Sequence, residues 1–225
     1  MAKLVITVVI FLSLLIIWNQ VRWRLLEVNP NLSLLVSTFN FVIIMSLSCA
    51  TYYSISKLPI TWERFGFKKS KIGSQLIWGV IITIPILVLM LILRVFMYPN
   101  ENPFGIYLLS KGNFNFVDDV LNIGLYLLIL SPLQVFITRC CYQTTITEVL
   151  GPNDRKVQAL AILTVAIGFA AFHVPYGLSL AAGAFATAVY WGIFFERHRS
   201  FLELCTSHAL SGIALFQWFG LLRTL

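Results

Sequence analysis

Four polar side chains lie within long apolar stretches of this sequence, and their types suit proton transfer and the stabilisation of an oxyanion. Gln134 and Arg139 interrupt the apolar run 119–141, and His173 and His208 each stand in a later run. An imidazole exchanges a proton near neutral pH, and an amide donates hydrogen bonds to a developing oxyanion. Polar groups in hydrocarbon usually face a protein interior or a wet cavity. We therefore expect these side chains to converge on one intramembrane site.

The composition identifies the membrane as the environment of that site. Of the 225 residues, 59% are hydrophobic and 11% are charged, whereas a soluble domain has about 25% charged residues. The sequence therefore predicts one polytopic membrane domain, 1–225, with an all-α fold. A span needs about 20 apolar residues, and the apolar runs predict a bundle of about seven transmembrane helices. We place them at 4–18, 33–55, 76–98, 120–141, 157–173, 176–195 and 201–222.

The net charge of +7 is explained by the short loops between the apolar runs, where the basic residues cluster. Lys and Arg are enriched in cytoplasmic loops, so we expect no nucleic-acid partner, and their distribution favours an N-terminus on the inner side. The first apolar run lacks a small-residue cleavage site and is interpreted as a retained helix. The basic, aromatic loop 56–75 is typical of a cytoplasmic connector, although it also suits docking on lipid head groups.

Helical spacing limits which of the polar side chains can meet. Arg139 follows Gln134 by five residues, about 140° around an α-helix, so the two do not stack directly. Phe169 and His173 are one turn apart, and Pro175 follows where the helix is expected to end.

The last apolar run carries its polar side chains on one helical face. Cys205, His208 and Gly212 share this face, and Gly212 leaves space one turn beyond the histidine. The four cysteines of the chain show no pairing pattern, so we expect no disulfide framework.

Three stretches resemble the CAAX protease and bacteriocin-processing family, also called CPBP or Abi. They are SPLQVFITRCCYQ (131–143), GFAAFHVPYG (168–177) and FFERHRSFLELCTSHALSGI (194–213), within a family-like core at about 115–215. The order is that of a glutamate motif with an arginine five residues on, then F-x-x-x-H, then a final histidine. The resemblance implies a polytopic intramembrane endopeptidase, without a cofactor, and a location in the bacterial inner membrane.

The resemblance also implies roles for individual residues. In the family a glutamate acts as general base on a water, and two histidines bind and orient that water or the oxyanion. The catalytic positions correspond to Gln134, Arg139, His173 and His208, and the substrate-binding positions to Phe169 and Gly212. The sequence departs from the motif because Gln134 and Val135 stand at the two glutamate positions, and Gly212 stands where many members have Asn.

General-base catalysis needs a group that accepts a proton, and neither a glutamine amide nor a valine does so. Glu148 lies about 21 Å along a helix from Gln134, and Glu203 lies off the face of His208. The sequence thus favours a glutamate-deficient member, a pseudoprotease in a lipid environment that binds or scaffolds a membrane peptide or protein partner. An active endopeptidase is the alternative, with His173 as the base and Gln134 as an oxyanion donor. The glutamine is also what an engineered inactivation of a glutamate would leave.

Two further interpretations stay open at this point. Cys205 and His208 are three residues apart, and His173 with Cys140 or Cys141 would complete a zinc site, although no strong ligand spacing is present and we expect no metal. A transporter would also have a polar site at the membrane midplane, but the sequence has no repeated half.

Overall fold

A computed structural model describes residues 60–68, 71–97, 99–100 and 123–219, together with scattered single positions between 10 and 56. These residues are helical or in turns, and no strand occurs among them, which confirms the all-α prediction for this part of the chain. The predicted spans 4–18 and 33–55 lie largely outside the described residues, so the count of seven stays a prediction.

Six α-helices are described, and two π-helical stretches lie between them. In chain order the elements are α1 (Ile72–Met97), π1 (Tyr126–Leu130), α2 (Ser131–Val135), π2 (Phe136–Gln143), α3 (Thr144–Leu150), α4 (Arg155–His173), α5 (Leu178–His198) and α6 (Phe201–Phe219). Within the described residues, four helical segments are long and apolar enough to span a membrane: Ile72–Phe96, Ile123–Leu150, Arg155–Tyr176 and Leu178–His198. The segment Phe201–Leu215 is a shorter apolar helix.

Local sequence signals explain where these helices begin and end. The helical segment that we predicted to end at residue 141 continues to Leu150, where Gly151 adopts a positive φ of 152° that favours glycine. The Asp154 carboxylate caps α4 by accepting a hydrogen bond from the Lys156 backbone N–H at 2.8 Å. A short 3₁₀ turn that contains Pro175 follows α4, so the predicted helix end at His173 is confirmed.

Backbone contacts divide the chain into two compact units. The first unit consists of Met1–Gly66 and Ile137–Arg199, and the second of Phe67–Phe136 and Ser200–Leu225. In the first unit, α4 packs along α5. Gly192 makes this approach possible, because a Cβ there would lie 2.8 Å from the side chain of Ile162.

In the second unit, α1 packs against α6. A Cβ at Gly79 would lie 2.5 Å from the Cβ of Thr206, so the two helices approach closely only because residue 79 has no side chain. The Ser200 hydroxyl also donates a hydrogen bond to the Gln75 side-chain oxygen at 2.8 Å. Small and polar residues therefore hold this pair of apolar helices together.

Candidate functional site

Arg139 is held inside the first unit by neutral oxygen acceptors. Its guanidinium, with only 2% of the residue exposed, donates to the Gln143 side-chain oxygen at 2.8 Å and to the Ala188 carbonyl at 2.6 Å. A buried charge is costly unless it is hydrogen-bonded, and these charge-assisted bonds offset that cost. Arg139 consequently ties π2 to α5.

Gln143 relays this contact to a carboxylate. Its side-chain amide donates to the Gly192 carbonyl at 2.9 Å and to Glu196 Oε1 at 2.8 Å. Since its oxygen accepts from Arg139, all three of these contacts are made by one fully buried side chain. Thr147 adds a further hydrogen bond to Glu196 Oε1 at 3.2 Å. Glu196 is therefore bound to two neighbouring turns of the helical segment Ile123–Leu150.

The network ends in ion pairs at the far end of α5. Arg199 pairs with Glu196 Oε2, and its Nη2 atom lies 3.9 Å from Glu148 Oε1. Arg64, which is half exposed, lies 3.6 Å from the same Glu148 oxygen. We call Arg139, Gln143, Glu196, Arg199 and Glu148 the Arg139 network. Both of its carboxylates are engaged with arginines.

His173 lies at the C-terminal end of α4, one turn beyond Phe169. Its Nδ1 atom is 2.8 Å from the Phe169 carbonyl oxygen, and the two rings are 4.6 Å apart between centroids. A carbonyl oxygen only accepts hydrogen bonds, so Nδ1 carries the proton and Nε2 of the neutral ring keeps its lone pair. The two residues, predicted to lie one helical turn apart, are thus in contact, and the hydrogen bond to the Phe169 carbonyl sets the tautomer of the ring.

His208 is buried in the second unit, with 6% of the residue exposed. The Tyr126 hydroxyl donates to its backbone carbonyl at 3.5 Å, and the Tyr126 ring meets the imidazole edge-on, with 6.3 Å between centroids. Tyr126 also occupies the space that we expect to be empty at Gly212, because a Cβ at that glycine would overlap the phenol oxygen and ring carbons.

Gln134 and Val135 end the short helix α2, also in the second unit. Val135 is buried, with 3% exposed, whereas Gln134 is partly exposed. The neighbouring Ser131 hydroxyl donates to the Cys205 carbonyl at 3.3 Å, which joins α2 to α6. The position to which the resemblance assigns the second glutamate is therefore occupied by an apolar, buried side chain.

The candidate residues are thus grouped in two sets, each inside one unit. Arg139, Phe169 and His173 belong to the first unit, whereas the second contains Gln134, His208 and Gly212. The convergence of all of them on one site stays a prediction. The angle of about 140° between Gln134 and Arg139 assumes α-helical geometry, which does not apply across the π-helical stretch from Phe136 to Gln143.

The metal interpretation finds no ligand set among the described residues, where no three His, Cys, Asp or Glu side chains are grouped as for a metal ion. Cys140, Cys141 and Cys205 are buried and form no disulfide, as expected for cysteines that act as small apolar side chains.

Our reading of the sequence missed Gln143, Glu196 and Tyr126. Gln143 could have been found from its spacing, because a residue four positions after Arg139 lies near it on a helix. We placed the helix end at residue 141, however, and so did not consider Gln143. Glu196 and Tyr126 carried no such signal, since their contacts with Gln143 and His208 join residues 53 and 82 positions apart.

Comparison with known protein families gives a match. The matched range contains every residue that this subsection assigns to the site except Arg64. Residues 116–214 match the model of a family described as type II CAAX prenyl endopeptidase Rce1-like. No curated protein matches the chain. No solved structure matches it either.

Proposed function

We propose that this integral membrane protein is a glutamate-deficient member of the Rce1-like family of CAAX prenyl endopeptidases, whose model matches residues 116–214. In this proposal it binds a membrane peptide or a protein partner between its helices and does not cleave it. The observation that carries the proposal is the pair Gln134 and Val135 at the two glutamate positions of the family motif.

The surroundings of the remaining carboxylates support this proposal. Glu148 and Glu196 are paired with arginines, and Glu196 also accepts hydrogen bonds from Gln143 and Thr147. Both carboxylates are therefore already engaged by side chains of the first unit. Glu203 is buried in α6 and lies five residues before His208, so it faces a different side of that helix. None of these groups replaces the missing general base.

The retained arginine is compatible with a protein that binds without catalysis. Arg139 joins π2 to α5 through Gln143 and the Ala188 carbonyl, and this role in helix packing needs no glutamate. Selection for a stable helix assembly would therefore keep Arg139 after the base was lost.

The tautomer of His173 favours a second candidate, an active endopeptidase with a histidine base. The Phe169 carbonyl holds the proton on Nδ1, so Nε2 has the lone pair that a general base needs. In this alternative Gln134 donates a hydrogen bond to the oxyanion. The two candidates differ in whether the unaltered chain cleaves a peptide.

The test uses the full chain in lipid nanodiscs and two peptides of the same CAAX-type sequence, one farnesylated and one without the lipid. Fluorescence anisotropy measures binding, and mass spectrometry measures cleavage. We expect the unaltered chain to bind the farnesylated peptide and to cleave it no faster than the His173→Ala variant. Gln134→Glu should increase cleavage by about 10²–10⁴-fold, the usual contribution of a positioned acid–base group.

Two matched variants control this experiment. Gln158→Glu makes the same change at a glutamine that bonds the Pro152 carbonyl outside the motif, and it should not create activity. His198→Ala removes a histidine to which the resemblance assigns no role. The proposal is wrong if the unaltered chain cleaves the peptide, His173→Ala abolishes cleavage and His198→Ala preserves it; that result would establish the second candidate. The proposal would also be contradicted if the unaltered chain bound neither of the two peptides.

A further inference from the structure

Within the second unit, the side chain of Tyr126 fills the space beside Gly212. An added Cβ at Gly212 would lie only 2.5 Å from Cε1 of Tyr126 and would overlap the phenol oxygen more severely. Real Cβ atoms do not approach other atoms so closely, so residue 212 must lack a side chain while Tyr126 stays in place. The glycine therefore makes space for this particular ring.

Tyr126 also contacts His208 in two ways. The hydroxyl of Tyr126 reaches the His208 carbonyl oxygen, and the aromatic ring lies edge-on to the imidazole at an interplanar angle of 63°. In an α-helix the carbonyl of residue 208 faces the backbone N–H of residue 212. A phenol can thus reach this carbonyl only where residue 212 leaves its side of the helix open.

The π-helical stretch π1 brings a second side chain into line with Tyr126. The backbone N–H of Ser131 bonds the Tyr126 carbonyl, so residues five apart lie one above the other on this turn. Tyr126 and Ser131 consequently both face α6, where their hydroxyls donate to the carbonyls of His208 and Cys205. These two contacts join α6 to π1 and α2, and of the two side chains Tyr126 is the one whose ring lies against the imidazole.

We propose that Tyr126 is the positioning residue of His208, and that Gly212 is glycine so that the phenol can reach it. The contact of the Tyr126 ring orients the imidazole of His208. The Tyr126 hydroxyl supplies a polar group beside residue 212, which has no side chain of its own. The inference rests on the proposed function for the importance of His208, because the contact matters to a ligand only if His208 belongs to the binding site.

The test observes His208 directly and does not depend on binding or cleavage. The full chain is labelled with ¹³Cε1-histidine in nanodiscs, and the signals of its three histidines are assigned with His173→Gln and His198→Gln. Tyr126→Leu should change the chemical shift of His208 and leave the other two histidine signals in place. Tyr126→Phe keeps the ring and should restore most of the original His208 shift.

Ser131→Ala is the matched control, because it removes the other hydroxyl-to-carbonyl contact with α6, which is made to the carbonyl of Cys205 and not to that of His208. The inference predicts a smaller change of the His208 shift in Ser131→Ala than in Tyr126→Leu, although both lose one interhelical hydrogen bond. An unchanged His208 signal in Tyr126→Leu, or an equal change in both variants, would overturn it. Since these outcomes are independent of the peptide assays, either proposal can fail while the other stands.

Discussion

Replacement of Gln143 by leucine tests whether the Arg139 network stabilises the first unit. Leucine has a similar volume but makes no hydrogen bonds, so the variant loses the contacts with Arg139, the Gly192 carbonyl and Glu196. The side chain is fully buried, so water does not replace these partners. The perturbation therefore removes three polar contacts while it changes the packing little.

The expected magnitude lies between two estimates. Hydrogen bonds between helices in membranes average about 0.6 kcal/mol each, which gives about 2 kcal/mol for three contacts. Bonds to charged partners contribute at least about 1.5 kcal/mol each and a neutral bond about 1 kcal/mol, which gives about 4 kcal/mol. Arg139 keeps the Ala188 carbonyl and Glu196 keeps Arg199, so neither charge is isolated. We expect a loss of about 2–4 kcal/mol in the free energy of unfolding.

Equilibrium unfolding by SDS in mixed micelles, followed by tryptophan fluorescence, measures this loss. Gln158→Leu is the control, because Gln158 makes one hydrogen bond, to the Pro152 carbonyl, and is only partly buried. The control should lose no more than about 1 kcal/mol. A Gln143→Leu variant within about 0.5 kcal/mol of the unaltered chain, the usual range of a surface substitution, would refute the reasoning.

Two further predictions concern glycines at close helix contacts. Gly79→Ala should lower the free energy of unfolding by about 1–3 kcal/mol, because its Cβ would lie 2.5 Å from that of Thr206; Gly73→Ala on the same helix has open space and should not destabilise the chain. Gly212→Ala should destabilise by a similar amount through its overlap with Tyr126. Tyr126→Leu should relieve this overlap, so the double variant Gly212→Ala, Tyr126→Leu should recover stability in SDS unfolding. No recovery relative to Gly212→Ala alone would contradict the close contact between Gly212 and Tyr126.

If the proposed function is right, the Arg139 network gives a physical reason why the arginine of the family motif can persist without the general base. Arg139 donates to an amide and to a backbone carbonyl on α5, so its contacts in this chain are with the helix assembly itself. The same residue can therefore be required for folding in an inactive member and for positioning in an active one. Retention of the arginine is consequently weak evidence for catalysis, and the residue at position 134 is the better indicator.

The helical fold class and the membrane environment could be predicted from the sequence, because both depend on local information. Long apolar runs can satisfy their backbone polar groups in lipid only as helices or closed barrels, and the runs here have helical length. The end of α4 near Pro175 and the one-turn pairing of Phe169 with His173 follow from helical geometry. The extension to Leu150 escaped prediction because TTITEVL is too polar to continue an apolar run.

The partners of the buried polar residues were decided only by tertiary structure. Arg139 could have met any acceptor, and the packing of π2 against α5 determines that it meets Gln143 and the Ala188 carbonyl. The sequence predicts open space beside Gly212, whereas in the folded chain Tyr126, 86 positions earlier, fills that space. Local spacing specifies which side chains share a helix face. Which other helix that face meets, and in what register, depends on close contacts between residues far apart in the chain.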